Sequence, residues 1–342
     1  MFLGSLFIYS SSAFVSYFFH KSTFYFYYKQ MLGILFATAI LFLTIFLKSD
    51  LYKKYFVIFY AFVILLNIMT IVPFFSYPIN GACRWIRIAG FVFQPSELLK
   101  FNYIMSSALI IDMFGDQIKH VLLFFATNFV IHISLLSIQS DFGTIMLFGV
   151  TTILLLWNYF YYKKIFIYIL SLFFLLIIPL IFLFPYRIAR LYAFLDPWED
   201  ILGKGFQIIQ SLIAFWNGGV WGLGLGNSIQ KRLFLPMSYN DFILAIIAEE
   251  IGLIGAVGVL GLLLGFSIMI IKMARKLSYQ WMQQYCIGFG ILMVAQIMIN
   301  AGAALALLPT KGMGLPLISY GLSSLVGYAL MAGVAINFFK QV

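Results

Sequence analysis

The sequence predicts an all-α polytopic membrane protein of about ten transmembrane helices, and three observations predict it. Hydrophobic residues make up 63% of the 342 positions and charged residues only 9%, where a soluble domain carries roughly 25% charged residues. The apolar stretches run to about 20 residues, the length that crosses a bilayer as a helix. They do not alternate polar with apolar, which excludes a barrel and leaves helices as the spanning structure.

The spans fall at roughly 2–20, 25–47, 56–76, 95–114, 120–138, 142–161, 165–184, 240–271, 282–307 and 316–338. The first has no Lys or Arg and no small-residue cleavage site, so it reads as a span and not as a signal peptide. The fourth opens on Pro95, which suits the first turn of a helix, with Glu97 at the positive N-terminal end. Asp141, in "QSDFG", stands where the sixth helix needs an N-cap. The longest connection, 185–239, separates spans seven and eight. Its stretch "FQIIQSLIAFW" is too short to span and apolar enough to lie at the interface or re-enter. With no repeat and no low-complexity linker, residues 1–342 read as one membrane domain.

The formal net charge of +10 does not indicate nucleic acid, because the basic residues are scattered through short loops. They read as topology signals and contacts for anionic lipid. Cys83 and Cys286 fit neither a disulfide framework nor a metal motif. The Lys/Arg tally is similar on the two sides of the membrane. One side collects tight, featureless connections such as "YYKK" and "KMARK", and the other collects longer Gly- and Pro-containing loops. Both termini are therefore expected in the cytoplasm. The loops 77–95, 185–239 and 308–315 then open together on the outer face, where function is expected.

Each outer loop carries a motif. "NGACRWIRIAGFVFQPSELLKF" places Glu97 and Lys100 three apart on one helix face, as an anchoring ion pair or a functional one. "GGVWGLGLGN" has no strand before it and no βαβ context, so its glycines read as tight turns and close backbone packing, not as a phosphate loop. "QKR" sets Lys231 and Arg232 shortly before Asp241. In "LPTKGMGLPLISYGLSSL", Lys311 is a snorkelling anchor or a phosphate contact.

Together "NGACRWIRIAG", "FQPSELLK", "LPMSYNDFILAIIAEEIGLIGA" and "PTKGMGLPLISYGLSSL" resemble the SEDS family (shape, elongation, division and sporulation proteins) of peptidoglycan polymerases. The likeness spreads over about 80–330 in the family's order, with its number of spans. The 185–239 loop and "LPTKG" look more like the division branch than the elongation branch. Met237, Tyr239 and Asn240 depart from the acid and His-Thr pair usual in that loop, and Leu322 replaces a usual glycine.

The resemblance implies a reaction. Lipid II donates its glycan chain to the 4-hydroxyl of another lipid II's N-acetylglucosamine, and undecaprenyl pyrophosphate leaves. Sugar hydrolases use two carboxylates because the leaving alkoxide must be protonated; pyrophosphate leaves unaided, so one base and positive charge suffice. Along a helix starting near Asp241, Glu249 lies about 12 Å deeper and is rotated by about 80°, and Glu250 points nearly opposite. Only Asp241 sits where sugars meet the membrane surface, and it occupies the position the family requires, so it is assigned as general base. Glu249 and Glu250 are expected to be structural or to line a polar cavity. Arg84, Lys100, Lys231, Arg232 and Lys311 are candidates for binding substrate, its pyrophosphate above all. No metal-ligand cluster or cofactor motif is evident, and a divalent cation remains an option.

The expected partners are lipid II and the undecaprenyl-linked glycan, a class B penicillin-binding protein, divisome proteins and membrane lipid. The expected place is the bacterial cytoplasmic membrane at the septum. A lipid II transporter and a noncatalytic division scaffold are the alternatives. A transporter would show ionisable residues and broken helices at the midplane.

Overall fold

The computed structural model describes residues 1–79, 81–88, 91–160, 185–203, 205–310 and 312–341. The expected seventh span, 165–184, and the candidate Lys311 lie outside the described residues. In chain order the elements are α1 (Phe2–His20), α2 (Tyr25–Phe46), α3 (Ser49–Met69), β1 (Ile86–Ile88), β2 (Phe91–Phe93), α4 (Ser96–Phe114), α5 (Ile118–Ile138) and α6 (Phe142–Phe160). They continue with α7 (Pro185–Leu195), α8 (Phe206–Gly218), α9 (Ile243–Ala274), α10 (Gln280–Ala304) and α11 (Leu322–Phe339). Eight of these helices are long and apolar enough to cross a membrane: α1, α2, α3, α5, α6, α9, α10 and α11. The chain is an all-α polytopic membrane protein.

Several boundaries differ from the expected ones for physical reasons. The third helix starts at Ser49, seven residues before the expected 56, because Asp50, Lys53 and Lys54 belong to the helix and not to a loop. Asp50 lies in the positive first turn, and Lys53 pairs with Asp112 at 2.7 Å. The last helix begins at Leu322 and not at 316. Residues 315–321 fold instead as a turn, with Ser319 N–H donating to Leu315 O at 3.0 Å and Leu317 at φ 62°. The loop 77–95 contains a small antiparallel pairing of β1 with β2, in which Ile86 faces Phe93.

The chain forms two compact units. The first comprises 1–31, 156–265 and 294–321; the second comprises 32–155, 266–293 and 322–342. In the second unit α4 is buried along most of its length, including Lys100, Asn102 and Ser106. This explains why a helix of modest apolarity is stable there, because its polar groups meet neighbours instead of lipid. Ser106 Oγ donates to Asn128 Oδ1 of α5 at 3.0 Å, and Tyr103 stacks on Phe148 of α6 at 4.3 Å. Asn337 of α11 donates to Ile45 O at 2.9 Å and Leu47 O at 2.6 Å, supplying partners to carbonyls that the end of α2 leaves open.

In the first unit, Phe7 and Ile8 of α1 pack with Ile243, Leu244 and Ile247 of α9 and with Ile297 and Ala301 of α10. The expected eighth span is not one helix. Gly252, at φ 74° and ψ −179°, divides α9 into a short first piece, 243–251, and a piece from 253 to 274. The two helix bonds that would span 249–254 are replaced, because the glycine loop after α8 crosses the break. Leu223 N–H and Gly224 N–H donate to the carbonyls of Glu249 and Glu250, both at 2.9 Å. In return Leu253 N–H donates to Gly219 O at 2.9 Å and Ile254 N–H to Val220 O at 3.4 Å. A continuous helix would have bonded 253 to 249 and 254 to 250. Each missing bond is thus replaced by two, as burial away from water demands.

Candidate functional site

Asp241 lies half-buried in the turn that leads into α9 at Ile243. Its backbone is held from two sides. Asn300 Nδ2, on α10, donates to Asp241 O at 2.9 Å and also to Met313 O at 2.8 Å. Ser319 Oγ donates to Asn240 O at 2.6 Å, and Tyr320 N–H donates to Tyr239 O at 3.1 Å. One asparagine thereby ties the Asp241 turn to the "TKGMG" segment. That segment passes close to the carboxylate, since a Cβ built on Gly312 would sit 3.5 Å from Asp241 Oδ2. Gln296 Nε2 fixes Gly314 O at 2.8 Å, and the Arg190 guanidinium donates to Thr310 O at 3.0 Å.

Aromatic rings wall the same turn. Phe26 stacks on Tyr239 at 4.7 Å, and Tyr320 meets both rings edge-on at 5.4 and 5.7 Å. Burial, with the negative charge of Asp241 adding to it, raises the Tyr239 phenol above its ordinary range. Tyr239 therefore stays protonated at neutral pH and can act there as a hydrogen-bond donor, not as a base.

Glu249 and Glu250 are fully buried and turn to different partners, as adjacent positions on a helix must. Glu249 accepts from Asn217 Nδ2 at 3.1 Å, from Gln230 N–H at 3.1 Å and from Ser228 Oγ. Glu250 accepts from Lys231 Nζ at 2.6 Å and from Ser10 Oγ at 2.6 and 2.7 Å. Of the two basic residues in "QKR", Lys231 is buried in this pair and Arg232 is exposed.

The remaining candidates belong to the second unit. Lys100, buried on α4, pairs with Glu97 at 2.8 Å and lies over the Tyr328 ring at 5.3 Å. Asp141 caps α6, with Oδ1 accepting from Thr144 N–H at 3.3 Å and Oδ2 from Thr144 Oγ1 at 3.0 Å. Arg84 Nε donates to Gln139 O at 3.1 Å and its Nη2 to Ser140 O, with Nη1 4.0 Å from Asp141. Its guanidinium thus clasps the turn before α6. Among the described residues, no group of three or more His, Cys, Asp and Glu is placed to hold a metal ion.

Sequence reasoning missed Ser10, Ser228 and Asn300. The signals were present: "YSSSAF" puts three serines inside an apolar α1, and Asn300 is an amide inside an apolar α10. Polar groups in a span that is otherwise apolar mark contacts with other polar groups.

Taken together, the fold and these loops define a multi-pass membrane protein with a carboxylate at the mouth of a broken helix. The family model described as "Cell cycle protein" (FTSW_RODA_SPOVE) matches residues 1–341, and the chain belongs to that family. A relative from Geobacter metallireducens, named "Probable peptidoglycan glycosyltransferase FtsW", is 34% identical over 98% of this chain and 90% of its own. One of the same name from Pseudoalteromonas translucida is 38% identical over 81% and 71%. A solved structure described as "Structural coordination of polymerization and crosslinking by a peptidoglycan synthase complex" has a TM-score of 0.80 at 26% identity, covering 99% of this chain and 96% of that one. The rod shape determining protein RodA of Thermus thermophilus shares the fold, with a TM-score of 0.67 at 20% identity over 99% and 95%.

Proposed function

We propose that this protein is a peptidoglycan glycosyltransferase that polymerises lipid II during bacterial cell division. The observation that carries the reading is the match to FtsW-named relatives over nearly the whole chain. The geometry around Asp241 supports it. In the reaction, the 4-hydroxyl of the acceptor N-acetylglucosamine attacks C1 of the donor sugar and gives its proton to Asp241. The C1–O bond to undecaprenyl pyrophosphate breaks, and the electron pair leaves with the phosphate. Charge developing on that oxygen calls for cations, and the pyrophosphate is itself the natural ligand for a divalent ion where one is used. Arg84, Arg232 and Lys311 remain the candidates, whereas Lys100, 2% exposed and paired with Glu97, is held by its carboxylate as Lys231 is by Glu250.

Both termini are assigned to the cytoplasm and the molecule to the division septum. A class B penicillin-binding protein is proposed as partner, a role supported by the likeness to a chain of a complex described as both polymerising and crosslinking. Divisome proteins are proposed as further partners. The 185–239 segment is proposed to ride in the headgroup layer of the single membrane domain 1–342. Its Trp216 and Trp221 are 86% and 81% exposed, as interfacial tryptophans are. A headgroup-level quencher in nanodiscs is expected to reduce tryptophan emission, and the triple variant Trp198→Phe/Trp216→Phe/Trp221→Phe to lose most of that quenching, since Trp198 of the same segment is also exposed, at 60%. Undiminished quenching in the variant would place the segment elsewhere.

The break in α9 favours a second reading, a lipid II transporter, because transporters use broken helices. Two facts weigh against it. The glutamates at the break are occupied by protein partners, and the carbonyls of 249 and 250 and the N–H groups of 253 and 254 are bonded to the glycine loop. The piece from 253 to 274 is also long enough to cross alone, about 33 Å at ~1.5 Å per residue, which puts the break toward one membrane surface. Purified protein, its penicillin-binding partner and fluorescent lipid II separate the readings. Long glycan chains are expected. No chains, together with movement of labelled lipid II across vesicles, would establish transport instead.

A further inference from the structure

Asp241 sits at the end of a loop that folds back on the helix it enters. The loop leaves the glycine crossing at Asn227 and is fastened at its start by both glutamates of α9. Glu249 takes Ser228 Oγ and Gln230 N–H. Glu250 takes Lys231 Nζ at 2.6 Å, with Ser10 of α1 bonded both to Glu250 and, at 3.1 Å, to the Lys231 ammonium. Lys231 N–H closes the arrangement on Ser228 Oγ at 3.2 Å. Midway, Ser238 Oγ reaches Ser11 O at 3.4 Å, and at the far end Asn300 and Ser319 hold residues 240 and 241. Two backbone positions within the loop, Leu233 at φ 71° and Met237 at φ 55°, are left-handed without being glycine. Such conformations persist only where the surroundings over-determine them.

We propose that the buried Lys231–Glu250–Ser10 triad positions the Asp241 loop and does not bind the substrate's pyrophosphate. The Lys231 and Glu250 side chains are 9% and 0% exposed. For the ammonium to reach a phosphate it would have to abandon Glu250, leaving a buried carboxylate unpaired in a low dielectric, a strongly unfavourable exchange. Lys231 and Glu250 are therefore positioning residues, acting on the base through the loop. This inference rests on the reading of Asp241 as the base of a lipid II polymerase.

The test compares Lys231→Met, Glu250→Gln and the double variant Lys231→Met/Glu250→Met with wild type, by kcat and KM for lipid II per folded molecule. Each single substitution leaves one buried group uncompensated, so kcat is expected to fall about tenfold or more with KM nearly unchanged. The double substitution leaves no unpaired charge and is expected to return to within about threefold of wild type. A rise in KM for Lys231→Met, with Glu250→Gln harmless and no recovery in the double variant, would make Lys231 a phosphate contact and overturn the proposal. So would kcat per folded molecule that none of the substitutions changes. A readout independent of activity uses Leu235→Cys, a site 1% exposed, in a Cys83→Ser/Cys286→Ser background. Maleimide labelling there is expected to quicken about tenfold in each single variant and to slow again in the double one. Unchanged labelling overturns the positioning role. An inactive wild type with this labelling pattern would instead remove the polymerase reading and leave the triad as the clamp of the loop.

Discussion

Asp241→Asn is expected to reduce glycan polymerisation by at least ~100-fold while leaving the protein folded and able to bind lipid II, because a positioned general base contributes about 10²–10⁴. The substitution is nearly isosteric, and the bond that fixes the turn survives it, since Asn300 donates to the backbone carbonyl of residue 241 and not to its side chain. What is lost is the capacity to take the proton of the attacking hydroxyl. The two other acids of this helix cannot replace it. Glu249 is saturated by Asn217, Ser228 and Gln230, and Glu250 by Lys231 and Ser10. Tyr239, two residues before it, is held in its protonated form by burial and by Asp241 itself, so it offers no second base at neutral pH. Removing the Asp241 charge relaxes that second influence. The Tyr239 phenol should therefore titrate at somewhat lower pH in the variant, which an ultraviolet titration can follow. Chain synthesis by Asp241→Asn at the wild-type rate would show that the acceptor is deprotonated elsewhere. A polymerisation assay on gel-resolved fluorescent glycan decides this directly.

The parts legible in the sequence are those for which lipid leaves little choice. A chain crossing hydrocarbon must present a long apolar run, so α1, α2, α5, α6 and α10 lie within a few residues of where hydropathy puts them. The start of α3 was hidden because Asp50, Lys53 and Lys54 look like a loop, although charges are tolerated at a helix end that reaches water. The separation of Glu249 from Glu250 was legible because rotation per residue is a property of any α-helix. Their partners were not, because Ser10, Asn217 and Lys231 come from distant segments, and a serine in an apolar helix does not say which carboxylate it meets. The break at Gly252 was invisible for a related reason. The run from Ile243 to Ala274 is continuously apolar, and what permits the break is a loop some thirty residues earlier. The glutamate pair just before a glycine was the one local hint.

That crossing gives the sharpest structural expectation. Gly252→Ala and Gly222→Ala are each expected to abolish the folded protein, and Gly258→Ala and Gly261→Ala on the same helix to leave it unchanged or slightly more stable. Gly252, at φ 74° and ψ −179°, occupies a region open essentially to glycine alone. A Cβ there would lie 2.2 Å from Val220 O and 2.6 Å from Gly222 N; a Cβ on Gly222 would lie 2.3 Å from Glu250 O. The obstructing atoms are backbone, and they belong to the strands of the crossing itself, so neither side can yield without losing the bonds that replace the helix ladder. Strain of ~1–3 kcal/mol for the conformation, with ~1–3 kcal/mol for each buried group left unsatisfied, approaches the whole stability of an ordinary domain, ~5–15 kcal/mol. At Gly258 and Gly261 the added methyl meets nothing within 4 Å, and alanine in a regular helix gains about 0.5–1 kcal/mol over glycine. Size-exclusion profiles and thermal melts in one detergent compare all four variants. If Gly252→Ala melts with the wild type, the helix is continuous in the membrane and the crossing is not what holds the Asp241 loop.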